Sequence, residues 1–148
     1  MADCEGLIKA LSITLGIDLS FSDDGTCGVT FDNDEIIFEK YEKSLYLISV
    51  IGSVSGHSDL YRKLLEANYL GQNTENAIIS IDANRDEFIL HRVIRENIEY
   101  GEFEQILTSF VKVTRHWKRF LISPEQGKET LDPKKSDFKL SDLSGIPV

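Results

Sequence analysis

Residues 64–93 read LLEANYLGQNTENAIISIDANRDEFILHRV, and a change of hydrophobic period inside this stretch decides the fold. Leading into it, Leu60, Tyr61, Leu64 and Leu65 recur at helical spacing, Ser58 stands as an N-cap, and Gly71 closes the pattern, which predicts a helix of about three turns. Residues 77–82 and 87–93 then run as two strands around the polar turn Ala83-Asn84-Arg85-Asp86, a hairpin by spacing and turn chemistry. A tight turn of this kind joins antiparallel neighbours, since parallel strands need a crossover of roughly a dozen residues or more.

The pattern extends in both directions. Upstream, Leu7, Ile8, Leu11 and Leu15 mark a first helix with Asp3 as N-cap and Gly16 as its end. After the turn signal Asp23-Asp24-Gly25, the pairs Val29 and Phe31, Ile36 and Phe38, and the run 45–54 read as three strands broken at Asp32-Asn33-Asp34 and Glu42-Lys43, an antiparallel meander. Downstream, acids Glu99, Glu102 and Glu104 open a third helix that carries Phe103, Ile106, Leu107, Phe110, Val111, Thr114, Trp117 and Leu121 on one face and stops at Ser123-Pro124. The expected fold is therefore α+β: helix, three-stranded antiparallel meander, helix, two-stranded hairpin, helix, forming a sheet covered by helices on one face. Such a sheet leaves its other face and an edge strand available. Residues 1–123 are expected to form one domain, and residues 124–148 a flexible C-terminal tail whose Leu131, Phe138, Leu140, Leu143 and Ile146 are spaced to dock on a partner.

Composition narrows the function. The 148 residues, 41% apolar and 28% charged, suit one globular domain, and no apolar run is long enough for a membrane span. Met1 to Gly6 carry acids and no basic cluster, so no secretory signal is expected and the compartment is taken as cytoplasmic. A formal net charge of −9 opposes attraction to nucleic acid and to anionic membranes. Lys112, Arg115, Lys118 and Arg119 are explained by the C-terminal end of the third helix, and Trp117 by its apolar stripe. Cys4 and Cys27 are expected as free thiols.

Catalytic and metal motifs are not found. His57, His91 and His116 have no ligand-type partner at helical spacing, so no metal site is expected. His57-Ser58-Asp59 holds the residue types of a hydrolase triad, but adjacent positions cannot aim one side chain at the next, and capping accounts for Ser58. Gly52 and Gly56 precede His57 and Ser58 without the lysine of a phosphate loop. No catalytic residue and no cofactor are assigned.

The stretch 64–93 resembles the effector-binding, class I (Tir chaperone-like) chaperones of bacterial type III secretion. In that family a helix ending in leucine, asparagine and a further apolar residue leads through a glycine-containing loop to a strand, a polar turn and a second strand. Leu64, Leu65, Asn68, Leu70 and Gly71, then residues 77–82 and 88–92, fill those roles. The order of elements matches as far as Trp117. Two departures are Gln72-Asn73-Thr74-Glu75-Asn76 in place of a Gly-rich loop, and a tail without counterpart.

The resemblance implies a non-enzymatic, cytoplasmic homodimer that binds the N-terminal segment of a secreted effector, keeps it unfolded and helps deliver it to the export apparatus, with the secretion ATPase as a further partner. Effector contacts are expected at Leu7, Leu11, Val29, Phe31, Ile36 and Phe38, with Phe31 open between groove and core. Leu7 and Ile13 lie off the first helix's core stripe, as groove or as scattered surface residues. Dimer contacts are expected at Leu60, Tyr61, Leu64, Ile78 and Ile79, the strand 78–81 being divided between core and dimer. A regulatory protein of the same fold that sequesters a transcriptional regulator or its antagonist is the alternative, and a small enzyme the third class.

Overall fold

The computed structural model describes residues 3–95, 97–124 and 145–147. Asp3 opens α1 (Cys4–Leu15) by accepting the Gly6 amide at 2.8 Å, and Gly16, at φ 68°, closes it in the left-handed conformation that a residue with a Cβ resists. Three strands follow, β1 (Thr26–Phe31), β2 (Asp34–Tyr41) and β3 (Ser44–Ser53), then α2 (Tyr61–Ala67), β4 (Ile78–Asp82), β5 (Glu87–Arg95), α3 (Tyr100–Ile122) and a short β6 (Gly145–Pro147). They build one antiparallel sheet in the order β4-β5-β3-β2-β1-β6. The α+β architecture and the element order are those read from the sequence.

Strand alternation divides the sheet into two faces. One carries Val29, Phe31, Ile36, Phe38, Leu45, Leu47, Phe88 and Leu90, all buried. The 23-residue α3 lies over it, with Phe103, Leu107, Phe110, Thr114, Trp117 and Leu121 spaced four, three, four, three and four apart along its inward side. Each such Phe or Leu contributes about 1.5–3 kcal/mol by leaving water. At Gly52 a Cβ would come within 2.7 Å of Leu121 Cδ1, so the glycine lets the end of α3 lie directly on β3, just where the β3–β5 register shifts between Val50 and Gly52. α3 is also tied to the β1–β2 turn. Asp34, buried, takes Arg115 Nε at 2.6 Å and Lys118 Nζ at 3.0 Å, and Arg115 Nη2 reaches Asp32 at 2.8 Å.

Three local expectations are revised. Ser58 is not a helix cap: residues Ser58–Leu60 form a 3₁₀ turn that runs into α2, and neither start has a side-chain cap. α2 ends at Ala67, about two turns long, and a second 3₁₀ turn, Tyr69–Gly71, carries the chain on with Leu70 at φ 52°. In the segment expected as a flexible tail, Gly145–Pro147 pair with β1 as a strand, while residues 125–144, with Leu131, Phe138, Leu140 and Leu143, and residue 148 lie outside the described residues.

Candidate binding surfaces

Three surfaces are left over once the core is built. The first surrounds α2. Leu64 and Ala67 bury one side of this helix, and Leu60 packs beneath its start. On the other side Leu65 and Tyr69 and the adjoining Leu70 are exposed, by 69%, 67% and 75%. A shallow depression there is lined by Arg62, Leu65, Glu66, Asn68 and Tyr69. Tyr61 stacks edge-on against Phe88, ring centroids 6.0 Å apart, and still keeps part of its ring in solvent.

The second surface is the sheet face away from the helices. The register aligns Ile78, His91, Ile48 and Ile37 in one row across β4, β5, β3 and β2, with Ile89 beside Val50 and Val93 beside Tyr46 in the flanking rows. Val50, Ile78 and Val93 are exposed and the others half-buried. An apolar sheet face of this extent on a chain of net charge −9 is what a docking surface looks like.

The third surface is the pair of sheet edges. On β4 the outward backbone groups of Ile79 are both taken by one side chain: Ile79 N–H donates to Asn68 Oδ1 at 2.8 Å and Asn68 Nδ2 donates to Ile79 C=O at 2.9 Å. The loop between them is fastened by Thr74 Oγ1 to Ala77 C=O at 2.6 Å, Arg92 Nη1 to Glu75 C=O at 2.9 Å and Trp117 Nε1 to Asn73 C=O at 3.2 Å. On β1 the outward carbonyl of Thr26 is taken by the Ser22 amide at 2.8 Å, and β6 covers only Val29–Phe31.

Cys27, His91 and His116 are shifted toward their neutral forms. Burial pushes the Cys27 thiol above its ordinary value, the opposite of an activated nucleophile. Burial holds His91 below the usual histidine range, and burial with the Arg119 charge does the same for His116. Among the described residues no three His, Cys, Asp or Glu side chains gather as metal ligands. None of the described helices is long and apolar enough to cross a membrane.

The residues expected at sites fall as follows. Leu7, Leu11, Val29, Phe31, Ile36 and Phe38 are brought together, but inside the core, each 3% exposed or less. This corrects the exposure expected of them: Leu7 and Leu11 form the inward side of α1, and Val29, Phe31, Ile36 and Phe38 lie on the sheet face that the helices cover. Ile13, by contrast, is 75% exposed. Of the five residues expected at a dimer contact, Tyr61 and Ile78 reach the surface, while Leu60, Leu64 and Ile79 are buried within the chain. Leu65, Tyr69 and Leu70 were missed as surface residues: Leu65 lies on the side of α2 turned away from Leu64 and Ala67, and the kinked 3₁₀ turn after the helix carries Tyr69 and Leu70 outward where a continuous three-turn helix was expected.

The pattern of the Tir chaperone protein (CesT) family matches residues 6–118, from α1 into the C-terminal half of α3. The chain belongs to the Tir chaperone family. Among solved structures, a chain of the HopA1–SchA chaperone–effector complex is 19% identical, with a TM-score of 0.66 over 76% of this chain and 91% of that one. A chain of the ExsC–ExsE complex is 18% identical, TM-score 0.69, over 81% and 97%. A chain of the heterodimeric ExoU–SpcU complex from the type III secretion system of Pseudomonas aeruginosa is 13% identical, TM-score 0.63, over 78% and 95%. No curated protein matches significantly. The family match covers the first five strands of the sheet and ends before β6.

Proposed function

We propose that this Tir chaperone family member is a homodimeric chaperone for a type III secreted effector, whose N-terminal region it holds unfolded and competent for export without catalysing a reaction. The observation that carries the reading is the apolar sheet face across β5, β3 and β2, with Ile89, Val50, Ile48 and Ile37, bordered by a lightly covered β1 edge, in a chain of this family. An extended segment gains affinity there from two sources that demand little of its sequence: apolar contact and backbone pairing along an edge. Leu7, Leu11, Val29, Phe31, Ile36 and Phe38 form the packed floor that keeps α1 and β1 in place for it. Much of the gain offsets the entropy of ordering the captured segment, so a large area is needed.

The dimer contact uses the outward side of α2 and the 3₁₀ turn after it, with Tyr61, Leu65, Tyr69, Leu70 and Ile78, an isologous patch about the depression at Asn68. Light scattering should give about twice the 16.8 kDa chain mass, and Leu65→Asp should halve it while the chain stays folded, because Leu65 is not part of the core. A wild-type monomer at micromolar concentration refutes the dimer.

The functional test is a deletion of the gene with secreted proteins and transcripts measured together. One secreted protein should vanish from the medium with its transcript unchanged, and its N-terminal region should copurify with the chain in a protease-sensitive, unfolded form. A fall in transcripts instead would favour sequestration of a regulator. Unchanged secretion of every substrate would end the chaperone reading.

A further inference from the structure

We infer that the chain's own C-terminal strand, β6, is a resident occupant of the β1 edge, held where an incoming extended segment would pair and displaced by it; the second half of this statement rests on the chaperone reading above. β6 runs antiparallel to β1 with Val29 opposite Pro147, Thr30 opposite Ile146 and Phe31 opposite Gly145. It comes from the far end of the chain, beyond the part that matches the family.

The fit is specific at three positions. Thr26 turns its carbonyl outward to Ser22, so by the alternation of an antiparallel ladder Gly28 and Thr30 turn their backbone groups outward too, and Val29 and Phe31 turn theirs to β2. Pro147, which has no N–H, stands opposite Val29, where none is needed, and Ile146 stands opposite Thr30, where both backbone groups are. Gly145 lies on the same face as Phe31, under an overhang of α1 and the residue after its cap: a Cβ there would come to 3.2 Å from Leu15 Cδ1, 3.5 Å from Val29 Cγ1 and 3.6 Å from Ile17 Cδ1. The edge thus accepts an extended strand with a small residue at that point, and the tail supplies one. The ladder is only three residues long, enough to blunt an exposed edge and short enough to yield to a longer strand. The partner it anticipates is an extended peptide segment with a glycine or comparably small residue among apolar ones.

The test compares the full chain, a chain ending at Ser144, and full-length Gly145→Glu. Amide exchange at Thr30 should be roughly tenfold faster or more in both altered chains, while Val29 and Phe31, bonded to β2, stay protected. A fluorescein-labelled peptide of residues 141–148, SDLSGIPV, should bind the shortened chain and bind the full chain about tenfold more weakly or worse, since the tethered copy competes at high effective concentration. The same peptide with glutamate at the glycine should bind neither. Equal Thr30 exchange in all three chains, or equal peptide binding by the full and shortened chains, overturns the inference. These readouts need no effector, so they can fail while secretion succeeds, and the reverse. An effector segment that bound the full chain and left Thr30 paired with the tail would refute displacement.

Discussion

The two edges of the sheet are closed by opposite means. At β4 a single amide side chain, eleven residues upstream, pairs with both outward groups of Ile79, and three further hydrogen bonds fasten the loop that brings it there. At β1 the cover is a three-residue strand from the other end of the chain. Closing a short loop costs little entropy and leaves the contact nearly permanent, whereas a strand on a long connection pays more to dock and gains only a few net hydrogen bonds of about 1 kcal/mol each. One edge is locked as part of the fold, and the other is covered in a way that can open.

The sharpest way to break this contrast is Asn68→Ala. Ile79 then keeps an unpaired N–H and C=O at a half-covered edge, and stability should fall by about 2 kcal/mol, read as a lower urea midpoint with unchanged slope. Asn68→Asp keeps an acceptor for the N–H but sets a charge against the carbonyl, and should fall between alanine and wild type.

Next in size is Asp34→Ala, which tests whether β1 is firm on its inner side while open on its outer one. Lys118 and Arg115 lose a buried partner, but both are about 30% exposed and Arg115 keeps Asp32, so the loss should be about 1–2 kcal/mol, below that of a fully buried pair. Thermal unfolding of the variant measures it.

A smaller effect is expected from pH, and at the β4 end alone. His91 sits between Ile78 and Ile48 in the open sheet face, and His116 stacks on Trp117, which holds the loop before β4. Burial depresses both, so below the ordinary histidine value of about 6.5 the unfolded chain binds more protons than the folded one. Stability should therefore be fully present above that value and decline as pH falls through it toward the depressed values. A urea midpoint that did not drop between pH 7.5 and 5.5, or a drop that survived His91→Gln with His116→Gln, would contradict this.

The smallest change is expected from ending the chain at Ser144. Removing three paired residues from an exposed edge should cost less than about 1 kcal/mol, even as it opens Thr30 to exchange. A melting temperature lower by many degrees would mean that β6 is locked as firmly as Asn68, and the contrast between the edges would be gone.

What the sequence determined by itself is the list and order of elements. Leu7 to Leu15, the strand pairs Val29 and Phe31 and Ile36 and Phe38, the hairpin about Ala83–Asp86 and the stripe from Phe103 to Leu121 each carry a period of 3.6 or 2 within a few residues, and Asp3 and Gly16 cap as local chemistry requires. Short turns made the antiparallel pairing legible as well, and the helix–loop–hairpin of residues 64–93 carried the family resemblance. Tertiary structure decided which apolar side chains are left over. Phe31 and Phe38 are as apolar as Leu65 and Leu70, and only the placement of α1 and α3 on one face puts the first two inside, while Leu65 is left on the outward side of α2 and the kink after Ala67 leaves Leu70 exposed. The pairing of Asn68 with Ile79, and of residues 145–147 with β1, joins positions whose local sequence contains no trace of the partner. Periodicity is a property of neighbours along the chain, whereas a sheet edge is defined by which strand arrives beside it, and that depends on the whole fold at once.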